Sequence, residues 1–142
     1  NVNDLSTVNG PLAVIFEDSG CNDCDEFHDE LLAHPDVQKE LQAFTVVRLD
    51  ADSLEEIVDP AGNKTSPKAW AEKLEMTYRP GVVMYADGRL VRRYDSLLFR
   101  HHFKEGVRWI GSGAYKTEDY QAYSERRTEE LLSAGVDIDL GR

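Results

Sequence analysis

The spacing of apolar residues changes several times along the chain, and each change marks an element. Residues 11–17, PLAVIFE, form an apolar run too short for a helix, which predicts a buried strand. Ser19 and Gly20 break it. From Asn22 onward Phe27, Leu31 and Leu32 recur at helical spacing among acids, predicting an amphipathic helix. His34-Pro35 interrupts it, because a residue before proline is pushed out of the α region. Residues 36–43 resume a helical period through Val37 and Leu41, and residues 43–50 are β-branched and alternating, a second strand. Residues 52–66 hold the turn-rich Asp59-Pro60-Ala61-Gly62-Asn63 and have room for a small hairpin or a turn of helix. Ser66-Pro67 is a strong helix start, with Trp70, Ala71 and Leu74 on the apolar side and an end near Met76.

Residues 81–95 give the clearest hairpin, two strand-like runs about Asp87-Gly88. Residues 97–110 predict a helix whose apolar side carries Leu98, Phe99, Phe103, Val107 and Ile110. An additional C-terminal helix is expected within residues 117–134, with Tyr120, Tyr123, Leu131 and Leu132 inward and Gly135 as its stop. Residues 1–10 read as a polar leader or short cap, and residues 135–142 as a loose tail. The order β, α, β, α, β-hairpin, α, α predicts an α/β fold, a central mixed sheet with helices on both faces, which is the thioredoxin arrangement. At 142 residues, 41% of them hydrophobic, one domain with a full core is expected and no disulfide staple is needed for folding.

A net charge of -11 argues against nucleic-acid binding and against docking on anionic lipid. No apolar run approaches a membrane span; no secretory signal is read, but a chain that opens abruptly at Asn1 is compatible with a mature form whose signal has been removed, so location stays open at this point.

With folding provided for by the core, the two cysteines, Cys21 and Cys24, point to chemistry. They lie where a strand gives way to a helix, and a spacing of three lets two cysteines in a helix's first turn bridge. The free N–H groups of a helix start favour a thiolate, so Cys21 is expected to be the exposed nucleophile and Cys24 the buried partner that resolves a mixed disulfide. Asp23, Asp25 and Glu26 oppose the thiolate, which points toward a reductant; the same acids also suit helix capping and solubility. Half of a zinc site, completed by His28, His34 or the His101–His102 pair, and a pair of structural thiols are the alternatives.

Arg79-Pro80 stands directly before the strand that opens the hairpin. A cis proline there would form a second wall facing the cysteines and leave neighbouring backbone free to pair with an extended substrate; a plain strand-starting proline is the alternative. Arg79 would place a cation near the sulfurs or bind an acidic substrate segment, unless it faces solvent.

The segment LAVIFEDSGCNDC resembles the strand and CxxC of the periplasmic thioredoxins called SoxW, with Glu17 four residues before the first cysteine and Gly20 directly before it. The resemblance continues through SPKAWAEKLEMTYRPGVVMYADG and GVRWIGSGAYKTEDYQAYSE, from about Leu12 to Leu132. It implies a thioredoxin fold, a Cys21/Cys24 dithiol, a cis Pro80 and a periplasmic location. It implies no cofactor, protein disulfides as substrates and a membrane thiol transporter as electron donor. The chain departs from the pattern at Asn22-Asp23, where an aromatic residue or proline is usual, and at Arg79, where a small residue is usual. Ile15 stands where thioredoxins carry a buried aspartate. Glu17 is the nearest replacement and could relay a proton from Cys24 through water, or else be an exposed strand-end carboxylate.

The expected activity is thiol–disulfide exchange, in the direction of client reduction. An oxidase or isomerase, and a non-catalytic module that senses redox state, are the competing readings. His28, His101 and His102 are expected on the surface, and Trp70 and Trp109 in the core or at its rim.

Overall fold

A computed structural model describes residues 3–21, 23–96 and 99–138. Asn22, Leu97 and Leu98, the first two residues of the leader and the end of the tail lie outside the described residues. The first strand, β1 (Leu12–Glu17), is buried from Leu12 to Phe16 with no alternation. It therefore needs cover on both faces and lies inside the sheet. β2 (Thr45–Asp50) pairs with it in parallel and β5 (Gly81–Ala86) antiparallel. β6 (Arg89–Tyr94) returns along β5, giving the order β2-β1-β5-β6. Asp87 and Gly88 link β5 to β6 with φ of 54° and 77°, the left-handed pair that a tight hairpin turn requires. The segment between β2 and the second half carries a small hairpin, β3 (Ile57–Val58) and β4 (Lys64–Thr65).

Two apolar layers cover the sheet. On one face Leu12, Val14 and Phe16 meet Trp70 and Ala71 of α3 (Pro67–Lys73) and Met76 beyond it. Trp70 sets its ring edge-on to Phe16, with centroids 5.3 Å apart. On the other face Ala13 and Ile15 meet Phe27 and Leu31, Val37 of α2 (Pro35–Leu41) and Phe103, Val107 and Ile110 of α4 (Arg100–Gly111). Residues 3–10 are a docked cap rather than a loose leader. Leu5 is buried, and the Val58 amide donates to the Asn3 carbonyl.

The helical segments depart from the sequence reading in three places. The first helix, α1 (Cys24–Glu26), widens into a π-helical stretch over Phe27–Leu32, which a 3.6-residue period cannot signal. Phe99, expected on the apolar side of α4, instead precedes the helix and is 38% exposed. In α5 (Tyr120–Ser133) only Tyr123 is fully buried; Leu132 is exposed, because the final turns run past the body that the first turns pack against. Asp119 caps α5 by accepting from the Ala122 amide, and Gly135, at φ 79°, ends it.

α5 is held to the rest by polar and aromatic contacts. The Arg92 guanidinium lies 3.8 Å from the Tyr120 ring centroid and 5.0 Å from that of Tyr94. Buried Glu105 accepts from Arg127 Nε at 3.0 Å and from the Tyr123 hydroxyl at 3.3 Å. The Tyr94 hydroxyl accepts from Arg92 Nε at 2.9 Å, and burial pushes its pKa up to about 12.

Gly106 makes this packing possible, since a Cβ there would overlap the Tyr94 hydroxyl. Gly106→Ala should destabilise the protein by about 1–3 kcal/mol, despite the helix preference for alanine. The loss should shrink in the Tyr94→Phe background, where the obstructing oxygen is gone, and urea denaturation of the four proteins reads both effects.

Candidate redox site

β1 carries the chain out of the sheet at Glu17, and residues 18–21 lead into the site loop. Asp18 organises it. Its Oδ1 accepts from the Gly20 amide at 3.0 Å, and its carbonyl accepts from the Cys21 amide at 3.2 Å. The loop therefore turns at once and delivers Cys21 above the strand end. Cys21 and Cys24 are joined in a disulfide with Cα atoms 5.5 Å apart. Cys24 is buried and Cys21 half-buried, so the first sulfur is the one nearer to solvent. The first-turn placement of both cysteines needs correction. Helix α1 starts at Cys24, and Cys21 sits in the loop before it. Asp23 is exposed and makes no side-chain capping bond, so helix capping does not account for its carboxylate.

The second wall comes from the loop that leads into β5, the neighbour of β1 on the side away from β2. Gly81, the first residue of β5, is registered opposite Phe16, which places Pro80 beside the end of β1. Pro80 is buried and the Arg79–Pro80 peptide bond is cis. Arg79 is turned inward rather than out to solvent or toward a substrate. Its Nη1 donates to the carbonyls of Met76 at 2.6 Å and Tyr78 at 3.0 Å, and its Nε lies 3.2 Å from Asp18 Oδ2. That last contact is an ion pair without hydrogen-bond alignment, since Nε is buried with no aligned acceptor. Asp18 and Arg79 thus connect the two loops of the site. The sequence shows both residues, but a partnership across about sixty positions has no local signature.

Glu17 is not an exposed strand-end group. Its side chain is 14% exposed; Oε1 accepts from Arg48 Nε of β2 at 3.1 Å, and Oε2 contacts His28 Nε2. His28, expected on the helix surface, is therefore folded back against the strand end, with the Phe27 ring edge-on to it. His34 instead caps α2, its Nδ1 accepting from the Asp36 amide, while His101 and His102 lie on α4. Trp70 and Trp109 are both buried.

The Asp18 contacts carry a stability consequence. Asp18→Ala should cost about 1–3 kcal/mol in urea denaturation of the oxidised protein, because it leaves the largely buried Arg79 guanidinium without its counter-charge and the Gly20 amide without its acceptor. Asp18→Asn keeps an oxygen for the Gly20 amide and should cost less.

Residues 3–107 match the family model described as a thioredoxin-like domain. No curated protein matches the chain. Among solved structures it is similar to a thioredoxin-fold protein from Helicobacter pylori, at 16% identity and a TM-score of 0.70, covering 93% of this chain and 90% of that one. It is also similar to a thioredoxin from Thermus thermophilus, at 21% identity and a TM-score of 0.58, covering 75% and 79%. For a Fasciola hepatica thioredoxin the values are 20%, 0.52, 72% and 82%. At these identities the structural likeness speaks for the fold, and the family match spans most of the chain. This chain, with a thioredoxin-like fold and a bridged cysteine pair at the end of its central strand, belongs to the thioredoxin-like domain family.

Proposed function

We propose that the protein is a thiol–disulfide oxidoreductase that reduces disulfides of client proteins. The observation that carries this reading is the bridged Cys21–Cys24 pair at the end of β1, with the first cysteine half-exposed and the second buried. In the reduced form the Cys21 thiolate attacks one sulfur of a client disulfide. The other client sulfur leaves and takes up a proton. Cys24 then loses its proton and attacks Cys21 Sγ, forming the Cys21–Cys24 bridge and releasing the second client thiol. Two electrons pass to the client, and a thiol donor restores the dithiol. Pro80 and the backbone of Arg79 would border the groove in which a client segment lies, the Arg79 side chain bracing that loop from within, and Asp23 adds negative charge at its rim.

The periplasmic setting, a membrane thiol transporter as donor and clients in sulfur oxidation rest on the resemblance to SoxW-type thioredoxins. Among the described residues no helix is long and apolar enough to cross a membrane.

Cys21→Ser should reduce the turnover of an insulin-type disulfide to background. Retained turnover would exclude the assigned nucleophile. Cys24→Ser should hold clients as mixed disulfides on Cys21, and mass spectrometry of the trapped proteins names them; clients outside sulfur metabolism would remove the pathway and leave the chemistry. A reduction potential near the roughly -270 mV of thioredoxin fits a reductase, whereas one near about -120 mV would make the protein an oxidant.

A further inference from the structure

The resolving step needs a place for the Cys24 proton. Cys24 is 9% exposed, and burial disfavours a thiolate. Ile15, buried at 1%, offers no carboxyl deeper along the strand. Within the helical segment that Cys24 opens, His28 follows four residues on, a separation at which side chains are neighbours on one face. Its ring is 23% exposed and held at Nε2 by Glu17, whose second oxygen is held by Arg48. Arg48 is 63% exposed on the edge strand β2, so the series runs from His28 through Glu17 to the solvent-facing edge of the sheet.

Resting on the dithiol reading above, we propose that the His28 imidazole, oriented by Glu17, accepts the proton that Cys24 releases as it attacks the mixed disulfide. With Nε2–H donating to the Glu17 carboxylate, Nδ1 is the nitrogen left to act as the base. The step balances. Cys24 S–H gives its proton to Nδ1, the Cys24 sulfur bonds to Cys21 Sγ, and the client sulfur departs with the electron pair of the broken bond. The imidazolium formed lies against an anionic carboxylate, and it returns the proton to water or to the departing thiolate. The charged and titratable groups around the ring are Glu17 from β1, Arg48 behind it from β2, and Cys24, Asp25 and Asp29 on its own helical segment. From α4, the Phe103 ring packs on Phe27, the residue before His28.

The test separates this step from the activity as a whole. Cys21 is loaded with an aromatic thiol as a mixed disulfide, and release of that thiol is followed by absorbance from pH 5 to 9. In the unmodified protein the release rate should rise with pH through an inflection that belongs to the accepting base. His28→Gln should lose that inflection and release the thiol at least about tenfold more slowly at pH 7, with Glu17→Gln between the two. An unchanged pH profile in His28→Gln overturns the proposal even if Cys21→Ser is inactive. In the protein without substitution, the His28 ring signals followed by NMR at one pH should differ between the dithiol and disulfide forms. Identical ring signals overturn it as well, and that measurement does not depend on whether the variant folds.

Discussion

The double-sided burial of β1 is the constraint on which the rest depends. A strand apolar on both faces cannot sit at an edge, so it must gain a hydrogen-bonded neighbour on each side and a helical layer above and below. The parallel partner β2 needs a crossover, and the chain between the two supplies α1 and α2. The antiparallel partner β5 brings its first residue, Gly81, level with Phe16. That register alone sets the loop before β5 beside the loop after β1. The loops that carry the cysteines and Pro80 are neighbours because a strand of six residues ends where its partner begins.

Within this frame the charged side chains do different work according to their burial. Asp18 and Arg79 face each other across the two loops at about a fifth to a quarter exposure, where an ion pair is screened weakly and a lost partner is costly. Asp23, Asp25 and Glu26 stand in solvent, where charge is screened and each contributes little. The net charge of -11 is carried largely by such exposed acids, and few of them touch the site.

The strands, the hairpin turn and the cysteine-bearing junction were legible in the sequence because each is encoded locally. A period of two, an Asp-Gly turn and a strand followed by helical spacing all fall within a few residues of one another. The site's electrostatics were not, because they depend on tertiary pairing. Arg79 reads as a free cation until the β1–β5 register places Asp18 beside it. His28 reads as a surface residue because its neighbours Asp29 and Glu30 are polar, and only the fold sets Glu17 against its ring. Leu132 reads as core from helical spacing, yet the body of the protein ends before the last turn of α5. A periodic pattern reports which side of a helix is apolar, and it does not report how far along the helix a partner extends.

The pairing of Arg79 also bears on the direction of electron flow. From the sequence, the acids beside Cys24 and the cation before Pro80 push the Cys21 thiolate in opposite ways. In the fold the Arg79 charge is compensated by Asp18 and its donors are turned to backbone carbonyls, so at the sulfurs the pair acts more as a dipole than as a cation. The exposed acids remain, weakened by water but without a compensating charge of the same proximity. Helix α1 begins only at Cys24, so Cys21 lies outside its first turn and gains less from the helix start than a residue within it would. Both changes lower the stabilisation of the Cys21 thiolate. A dithiol whose reduced form is less stabilised gives up its electrons more readily, and this supports client reduction over client oxidation.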